Sequence, residues 1–135
     1  MAGEKNLNKL LGAMSPSLID GDYVFLSFAN ANYGDYTELK PFAAIAEAEG
    51  LTLIVEQRLA IDHGYGFDGV YKGITLEVHS SLEAIGLTAA FAKALSEVEI
   101  SANVIAGFYH DHIFVQKPFA TEAMKALESL SSEHS

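Results

Sequence analysis

The chain has 135 residues, half of them hydrophobic, which is enough to bury one compact domain or two small lobes that share an interface. Cysteine is absent, and this excludes disulfides, zinc-thiolate sites, iron-sulfur clusters and cysteine nucleophiles. Eight basic and eighteen acidic residues give a formal net charge of -10, which would repel a phosphate backbone or an anionic membrane surface. We therefore expect neither nucleic acid nor a membrane as a partner.

The beginning of the chain predicts a short helix followed by a strand. Apolar residues at helical spacing predict a helix over residues 6–14, and Pro16 disfavours its continuation. Aromatic and β-branched residues predict a strand over 23–28, with a polar loop at 29–37 after it. The N-terminus has no apolar run of the length that a signal peptide or a membrane helix needs, so we expect a cytoplasmic protein.

The tetrapeptide KPFA occurs twice, at residues 40–43 and 117–120, and each copy follows a predicted strand. Pro41 suits the first turn of an amphipathic helix, and the second copy likewise opens a predicted helix over 118–130. We interpret the repeat as a tandem duplication of one lobe with unequal ends. Because the second lobe lacks a closing strand of its own, we predict that the apolar strand 51–55 lies in a sheet beside strands of the other lobe.

The second half of the chain predicts the order strand, helix, strand, strand, helix. These elements fall at residues 74–79, from the low eighties to 96, and at 100–107, 112–116 and 118–130. Each helix has an apolar stripe assigned to the core, formed by Leu82, Ile85, Ala89, Ala92 and Leu95, and by Phe119, Ala123, Met124, Leu127 and Leu130. The order is that of a ferredoxin-like sandwich without its last strand, an α+β fold.

The segment GYGFDG matches the dinucleotide-binding fingerprint G-x-G-x-x-G formally, with Gly64, Gly66 and Gly69. That fingerprint works only when a helix follows the last glycine and directs its N-terminus at the pyrophosphate. Here the following residues, VYKGITLEV, predict a strand. We interpret the segment as a glycine-rich connector or hairpin and expect no cofactor.

The run EAIGLTAAFAKALSEVEIS, residues 83–101, is similar without gaps to the ACT-domain pattern. That pattern has an acid, two residues, a glycine and an alanine-rich helix that ends before a strand. The acid, the glycine, the helix leucine and the start of the strand fall at Glu83, Gly86, Leu95 and Ile100. The sequence departs from the pattern at Ile85, where proline is usual, and at Ser101, where asparagine is common.

The segments VHSSLEAIGLTAA, NVIAGFYHDHIFV and EGLTLIV together resemble a group of small bacterial proteins that are built from two tandem ACT-like lobes and have no established activity. The resemblance implies antiparallel sheets with helices on one face, an incomplete first lobe at residues 1–70 and a second lobe at 71–135. It also implies a non-catalytic regulatory or sensor module that binds a small molecule, usually an amino acid, at an interface between lobes, and a homodimer.

The predicted strand-to-helix junction near residue 80 suits such a role. Ser80 and Glu83 have capping-box spacing, at a point where backbone N–H groups can receive a carboxylate. Gly86 would cost about 1 kcal/mol inside a helix, which a close ligand or a close-packed neighbouring helix would explain. Ser101 and Asn103 alternate with apolar residues and share a strand face, as ligand contacts or as ordinary exposed polar residues. The predicted ligand-binding residues are Ser80, Ser81, Glu83, Ile85, Gly86, Leu87, Thr88, Ser101 and Asn103.

The segment Tyr109-His110-Asp111-His112 indicates an alternative, a divalent-metal-responsive module. On an extended backbone the two histidines point the same way, and His79 or Asp111 could complete a set of metal ligands. The same residue types suit the turn of a hairpin, which is the interpretation we prefer.

A small hydrolase is the third hypothesis, with Ser80 or Ser81 as nucleophile beside His79. Adjacent strand residues point to opposite faces, and no third group that would orient the histidine is indicated. We therefore predict no catalytic residues and no metal site.

Overall fold

The computed structural model describes residues 6–77 and 86–134. The helices are α1 (Leu7–Ala13), α2 (Gln57–Asp62), α3 (Leu87–Glu97) and α4 (Ala120–Ser132). The strands are β1 (Pro16–Leu18), β2 (Tyr23–Phe28), β3 (Ala43–Glu47), β4 (Gly50–Glu56), β5 (Tyr71–Leu76), β6 (Asn103–Ala106) and β7 (Asp111–Gln116). Short 3-10 helices lie at Thr37–Leu39 and Lys117–Phe119. The chain divides into two units, Asp20–Tyr71, here the middle unit, and Met1–Ile19 with Lys72–Ser135, here the split unit.

The split unit is a ferredoxin-like fold whose closing strand comes from the beginning of the chain. Its strands lie in the order β1, β5, β7, β6, and β1 pairs antiparallel with β5 from Pro16 opposite Leu76 to Leu18 opposite Ile74. The second half of the chain lacks a closing strand of its own, as predicted, and the strand that closes its sheet is β1 from the beginning of the chain, not the predicted strand 51–55. β1 was not predicted because the strand has three residues and begins with proline, which cannot donate to a sheet.

One hydrophobic core joins α1, α3, α4, β5 and β7 within the split unit. The fully or almost fully buried side chains include Leu10, Leu11, Met14, Ile74, Leu76, Leu87, Phe91, Leu95, Ile113, Val115, Ala123 and Leu127. The predicted apolar stripes are correct at Leu95 and Leu127, but Ala89 and Phe119 are exposed. The buried face of α3 is instead set by Leu87, Phe91 and Leu95, spaced by four residues; the predicted core positions 82 and 85 lie outside the described residues.

The middle unit has the strand order β3, β4, β2, and Tyr71 at the start of β5 pairs with Tyr23 of β2. β4 contains the predicted buried strand 51–55 and pairs antiparallel with β3 on one side and with β2 on the other. Both neighbours belong to the same unit, so the prediction that this strand lies beside strands of the other lobe is wrong. Helix α2, which the sequence pattern did not indicate, buries Ala60.

Residues 43–47 form strand β3 and not the predicted helix after Pro41. β3 pairs with β4 from Ala43 opposite Ile54 to Glu47 opposite Gly50, which leaves a two-residue turn. Alanine and glutamate favour helix, but pairing with the buried strand β4 outweighs that preference. The KPFA repeat therefore does not mark a repeated element, because its first copy leads into a strand and its second into a 3-10 helix and α4.

Candidate functional site

Helix α3 begins at a glycine, whose lack of a side chain means that the N-cap residue itself makes no side-chain cap bond. Its N-cap is Gly86, and the backbone N–H of Ala90 donates to the Gly86 carbonyl at 2.9 Å. The N–H groups of Leu87 and Thr88 come before this bond, so the helix itself provides no acceptor for them. The first turn of α3 carries no acidic side chain. Such a helix start attracts a carboxylate through backbone donors that the helix does not use and through the helix dipole.

Gly86 is required by the packing of the split unit. Its φ of +93° lies in the left-handed region that disfavours any residue with a side chain. A Cβ at this position would lie 3.1 Å from Leu7 Cδ2, so α1 packs directly against the glycine. Of the two explanations offered by the sequence, the structure therefore shows the close-packed neighbouring helix. Leu7 was not anticipated, because nothing in the local pattern at residue 86 indicates which distant residue packs there.

The other predicted ligand-binding residues at this junction differ in whether their side chains can reach a ligand. Leu87 is buried in the core and presents only its backbone, whereas Thr88 is exposed. Four of the predicted residues, Ser80, Ser81, Glu83 and Ile85, lie outside the described residues. The predicted capping box placed the start of the helix at Ser80, but the N-cap of α3 is Gly86.

Ser101 and Asn103 lie at the far end of α3 from Thr88. Helix α3 has 11 residues and is therefore about 16 Å long, and Ser101 follows its last residue by four positions. β6 begins at Asn103, so Ser101 precedes the strand and is exposed. Asn103 Nδ2 donates to the Phe114 carbonyl at 3.0 Å, across the hairpin of β6 and β7. Within one split unit, a ligand of amino-acid size at Thr88 would not also reach Ser101.

Tyr109 and His110 lie in the hairpin turn between β6 and β7, as the preferred interpretation predicted, whereas Asp111 and His112 begin strand β7. The Gly107 N–H donates to the His110 carbonyl at 2.9 Å, and the Phe108 and Tyr109 side chains are exposed at the tip. Thr75 Oγ1 on β5 lies 3.0 Å from His112 Nδ1, a contact that the sequence did not indicate. Among residues 6–77 and 86–134, no three histidine or acidic side chains are placed to hold a metal ion, and position 79 falls outside those ranges.

The pKa values of two residues in the segment His110-Asp111-His112 are shifted from their ordinary values. Burial lowers the pKa of His112, the positive charge of His110 lowers it further, and the Asp111 carboxylate acts in the opposite direction. Burial raises the pKa of Asp111, and the two histidines oppose that shift. His110 Nδ1 is itself buried, with no hydrogen-bond partner in the described part of the chain. The hairpin therefore disfavours charge on both Asp111 and His112.

We expect His112→Gln to weaken the loss of stability on acidification. On acidification, His112 takes up a proton near pH 6.5 in the unfolded chain but only at a lower pH in the folded chain. The free energy of unfolding therefore falls as the pH decreases from about 6.5 to the lowered pKa of the folded chain. Asp111, with its raised folded pKa, gains stability at lower pH and works against this trend. Melting temperatures at closely spaced pH values test the prediction, with His63→Gln as the control at an exposed histidine. An unchanged slope in His112→Gln would contradict it.

Comparison with known proteins decides the family. An ACT domain model matches residues 2–72, and a second ACT domain model matches residues 70–129. The chain belongs to the ACT domain family. The resemblance seen in residues 83–101 is thereby confirmed, and so is the α+β ferredoxin-like fold of two tandem ACT-like lobes. ACT domains are regulatory modules and not catalytic ones.

Several solved structures are similar to this protein over most of its length. A Vibrio cholerae protein of unknown function, described as a possible transport protein, is 52% identical, with a TM-score of 0.84 over 94% of this chain and 97% of that one. An Agrobacterium tumefaciens protein is 14% identical, with a TM-score of 0.72 over 87% and 89%. The regulatory subunit of aspartate kinase from Thermus thermophilus is 8% identical, with a TM-score of 0.62 over 87% and 98%. The last two likenesses concern the fold alone.

No curated protein matches this ACT-domain chain. In the part of the chain that the structure describes, no helix has the length and hydrophobicity needed to cross a membrane.

Proposed function

We propose that this ACT-domain protein is a regulatory module that binds a small carboxylate-bearing molecule, an amino acid, beside the start of α3. The observation that carries the proposal is the start of α3 at Gly86, which has no side chain to cap the helix, and after which the backbone N–H groups of Leu87 and Thr88 precede the first intrahelical bond. An anion at such a position accepts hydrogen bonds from the backbone and interacts favourably with the helix dipole. Membership of a family of regulatory ligand-binding modules supports the same conclusion.

The amino group of the ligand requires an acceptor, and residues near the junction can supply one. Ser80, Ser81, Glu83 and Ile85 precede Gly86 in the chain and complete the proposed site, with the Glu83 carboxylate as the partner of the ligand ammonium. Gly86 contributes its backbone conformation, which directs the chain into α3, because the space beside its α-carbon is filled by Leu7. The residues proposed to contact the ligand directly in the described part are Leu87, through its backbone, and Thr88.

Ser101 and Asn103 belong to this site only if a second copy of the chain supplies them. In one copy they lie beyond the opposite end of α3, about 16 Å away along the helix. Asn103 Oδ1 remains an acceptor while Nδ2 donates to Phe114, so a partner's strand could present it to an ammonium group. The proposal therefore includes a homodimer whose interface brings the start of α3 in one copy to the start of β6 in the other.

Binding of an amino acid should raise the melting temperature, because a ligand that binds only the folded chain stabilises it according to its concentration relative to its dissociation constant. We expect one or a few of the twenty amino acids to do so in a thermal-shift screen. A hundredfold excess over the dissociation constant corresponds to about 2.7 kcal/mol. A screen that also contains nickel, zinc and magnesium ions separates this proposal from the metal-responsive alternative, for which the metals and not the amino acids would raise the melting temperature.

Thr88→Asp is the variant that tests the position of the site. Its carboxylate would compete with the ligand for the same N–H groups, while an acidic residue in the first turn of a helix stabilises the fold by about 0.3–1 kcal/mol. We expect calorimetry to show at least about tenfold weaker binding, about 1.4 kcal/mol, with an undiminished melting temperature. Thr88→Asn is the control of matched size without the charge. Wild-type affinity in Thr88→Asp would place the ligand elsewhere.

A further inference from the structure

Three aromatic side chains of the middle unit contact one another beside the end of β2. Phe28 and Tyr36 are stacked, with ring centroids 3.9 Å apart and an angle of 16° between the ring planes. Tyr65 stands nearly perpendicular to both, with centroid distances of 5.1 Å to Phe28 and 6.2 Å to Tyr36. All three rings are partly buried against the core of the middle unit. The Phe28 ring therefore covers one face of the Tyr36 ring, and the Tyr65 ring lies beside it at nearly a right angle.

Tyr36 reaches this place with an unfavourable backbone conformation. Its φ is +64°, in the left-handed region where a bulky residue is an outlier, and two other non-glycine residues of the same loop, Asn30 and Lys40, have φ values of +60° and +46°. The loop forms local hydrogen bonds, with the Leu39 N–H donating to the Tyr36 carbonyl at 3.0 Å and the Asp35 N–H donating to the Asn32 carbonyl at 2.9 Å. The stacked and perpendicular ring contacts of Tyr36 oppose this strain.

We propose that the face of Phe28 that Tyr36 covers, with Tyr65 beside it, is a binding site for a small molecule with an exposed aromatic ring, and that Tyr36 is its internal occupant. A ligand ring that takes over the stacked and edge-to-face contacts would allow residue 36 to leave and its backbone to relax. The relief of strain offsets part of the ring contacts that Tyr36 loses, which makes the exchange accessible to a weakly binding ring. The site lies in the middle unit and goes beyond the proposed amino-acid site at α3.

The two ends of the loop that carries Tyr36 differ, because the end toward β3 is anchored in the core and the part around Gly34 is exposed. Leu39 is fully buried and anchors the end of the loop that leads to β3. Gly34 has a φ of +98° with no atom within 4 Å of the position a Cβ would take, and Tyr33 beside it is 77% exposed. Displacement of Tyr36 withdraws its ring from the edge of this core and breaks the hydrogen bond from the Leu39 N–H to its carbonyl, while Leu39 itself keeps its buried place.

Tyr36→Gly tests the site because it removes the ring and, at the same position, removes the strain of a positive φ. Phenol is the probe, followed by calorimetry and by NMR of the aromatic signals. We expect Tyr36→Gly to bind phenol about tenfold more tightly than the wild type, because the internal competitor is gone. Adding Phe28→Ala to Tyr36→Gly should abolish that binding. Tyr33→Ala is the matched control, a tyrosine of the same loop outside the aromatic contacts, and should bind phenol as the wild type does.

A cooperatively folded Tyr36→Gly that binds phenol no better than Tyr33→Ala would overturn the proposal, and so would undiminished binding after Phe28→Ala is added. The wild-type chain keeps the proposal testable if Tyr36→Gly fails to fold. In the wild type, millimolar phenol should shift the NMR signals of Phe28, Tyr36 and Tyr65 together, and should not shift those of Tyr33. Unchanged signals for the three rings would refute the site.

Discussion

Deleting residues 1–19 should unfold the part of the chain from 72 to 135, although that part keeps α3, α4 and three strands. The deletion removes Leu10, Leu11 and Met14, each at most 3% exposed in the core of the split unit. Burial of one such side chain contributes about 1.5–3 kcal/mol, and three together approach the total stability of about 5–15 kcal/mol that a domain has. The deletion also removes β1 and exposes the edge of β5 that it covers. Circular dichroism and thermal melting measure the effect.

A permuted fragment provides the control for this deletion. The fragment consists of residues 72–135 joined through a flexible linker to residues 6–19. It contains the described elements of the split unit in a different chain order. We expect this fragment to melt cooperatively, since Ser131 Oγ donates to the Met14 carbonyl at 2.7 Å and the two segments therefore meet. A cooperative melt of the deleted chain itself, with the helix content of α3 and α4 preserved, would show that β1 and α1 are dispensable.

Gly86→Val should destabilise the fold by several kcal/mol, for two separable reasons. A branched side chain in the left-handed conformation at φ +93° costs about 1–3 kcal/mol. Overpacking against Leu7, whose Cδ2 would lie 3.1 Å from the new Cβ, costs typically about 1–3 kcal/mol more. Urea denaturation, which gives the free energy of unfolding, measures the sum.

Gly34→Val isolates the backbone part of this cost. Gly34 has a φ of +98°, close to that of Gly86, but nothing lies within 4 Å of the position its Cβ would take. We expect Gly34→Val to be clearly less destabilising than Gly86→Val, and Leu7→Ala to relieve part of the damage in Gly86→Val. Equal losses in the two glycine variants would show that contact with Leu7 contributes nothing.

The Leu7 contact also changes how ligand binding at α3 has to be tested. Loss of binding in Gly86→Val would report damage to the fold as readily as a blocked site. Thr88→Asp avoids this difficulty, because residue 88 is exposed and an acidic residue suits its place in the helix.

The sequence predicted the elements whose apolar pattern is strong and local. β2, β4, α4 and most of α3 follow the expected boundaries closely, because buried strands and amphipathic helices leave their period in the sequence. The ACT-like fold was recognisable from residues 83–101, where the glycine, the helix and the next strand keep a fixed spacing.

Elements decided by distant partners were not predictable in the same way. β3 has the composition of a helix and becomes a strand because β4 pairs with it. β1 has three residues, and only its pairing with β5, more than fifty positions away, identifies it as the closing strand. The positive φ of Tyr36 likewise accompanies ring contacts with Phe28 and Tyr65 that no local pattern records.

In the candidate site, too, the local features were predictable from the sequence and the contacts with distant residues were not. The pattern around Gly86 located the start of a helix correctly to within a few residues, but it could not show that Leu7 fills the space beside the glycine. Ser101 and Asn103 were grouped with Thr88 by their motif, and the length of α3 separates them within one copy. Their membership of one site stays a prediction that depends on a dimer.

The most direct test of ligand binding at α3 is amide NMR of the ¹⁵N-labelled wild-type chain, titrated with the amino acid that gives the largest thermal shift. A carboxylate that accepts hydrogen bonds from the helix start should move the backbone N–H signals of Leu87 and Thr88 most, in proportion to the bound fraction. If Ser101 and Asn103 of a second copy complete the site, their signals should move at the same ligand concentrations. Saturable binding that leaves the Leu87 and Thr88 signals in place would contradict the proposed site.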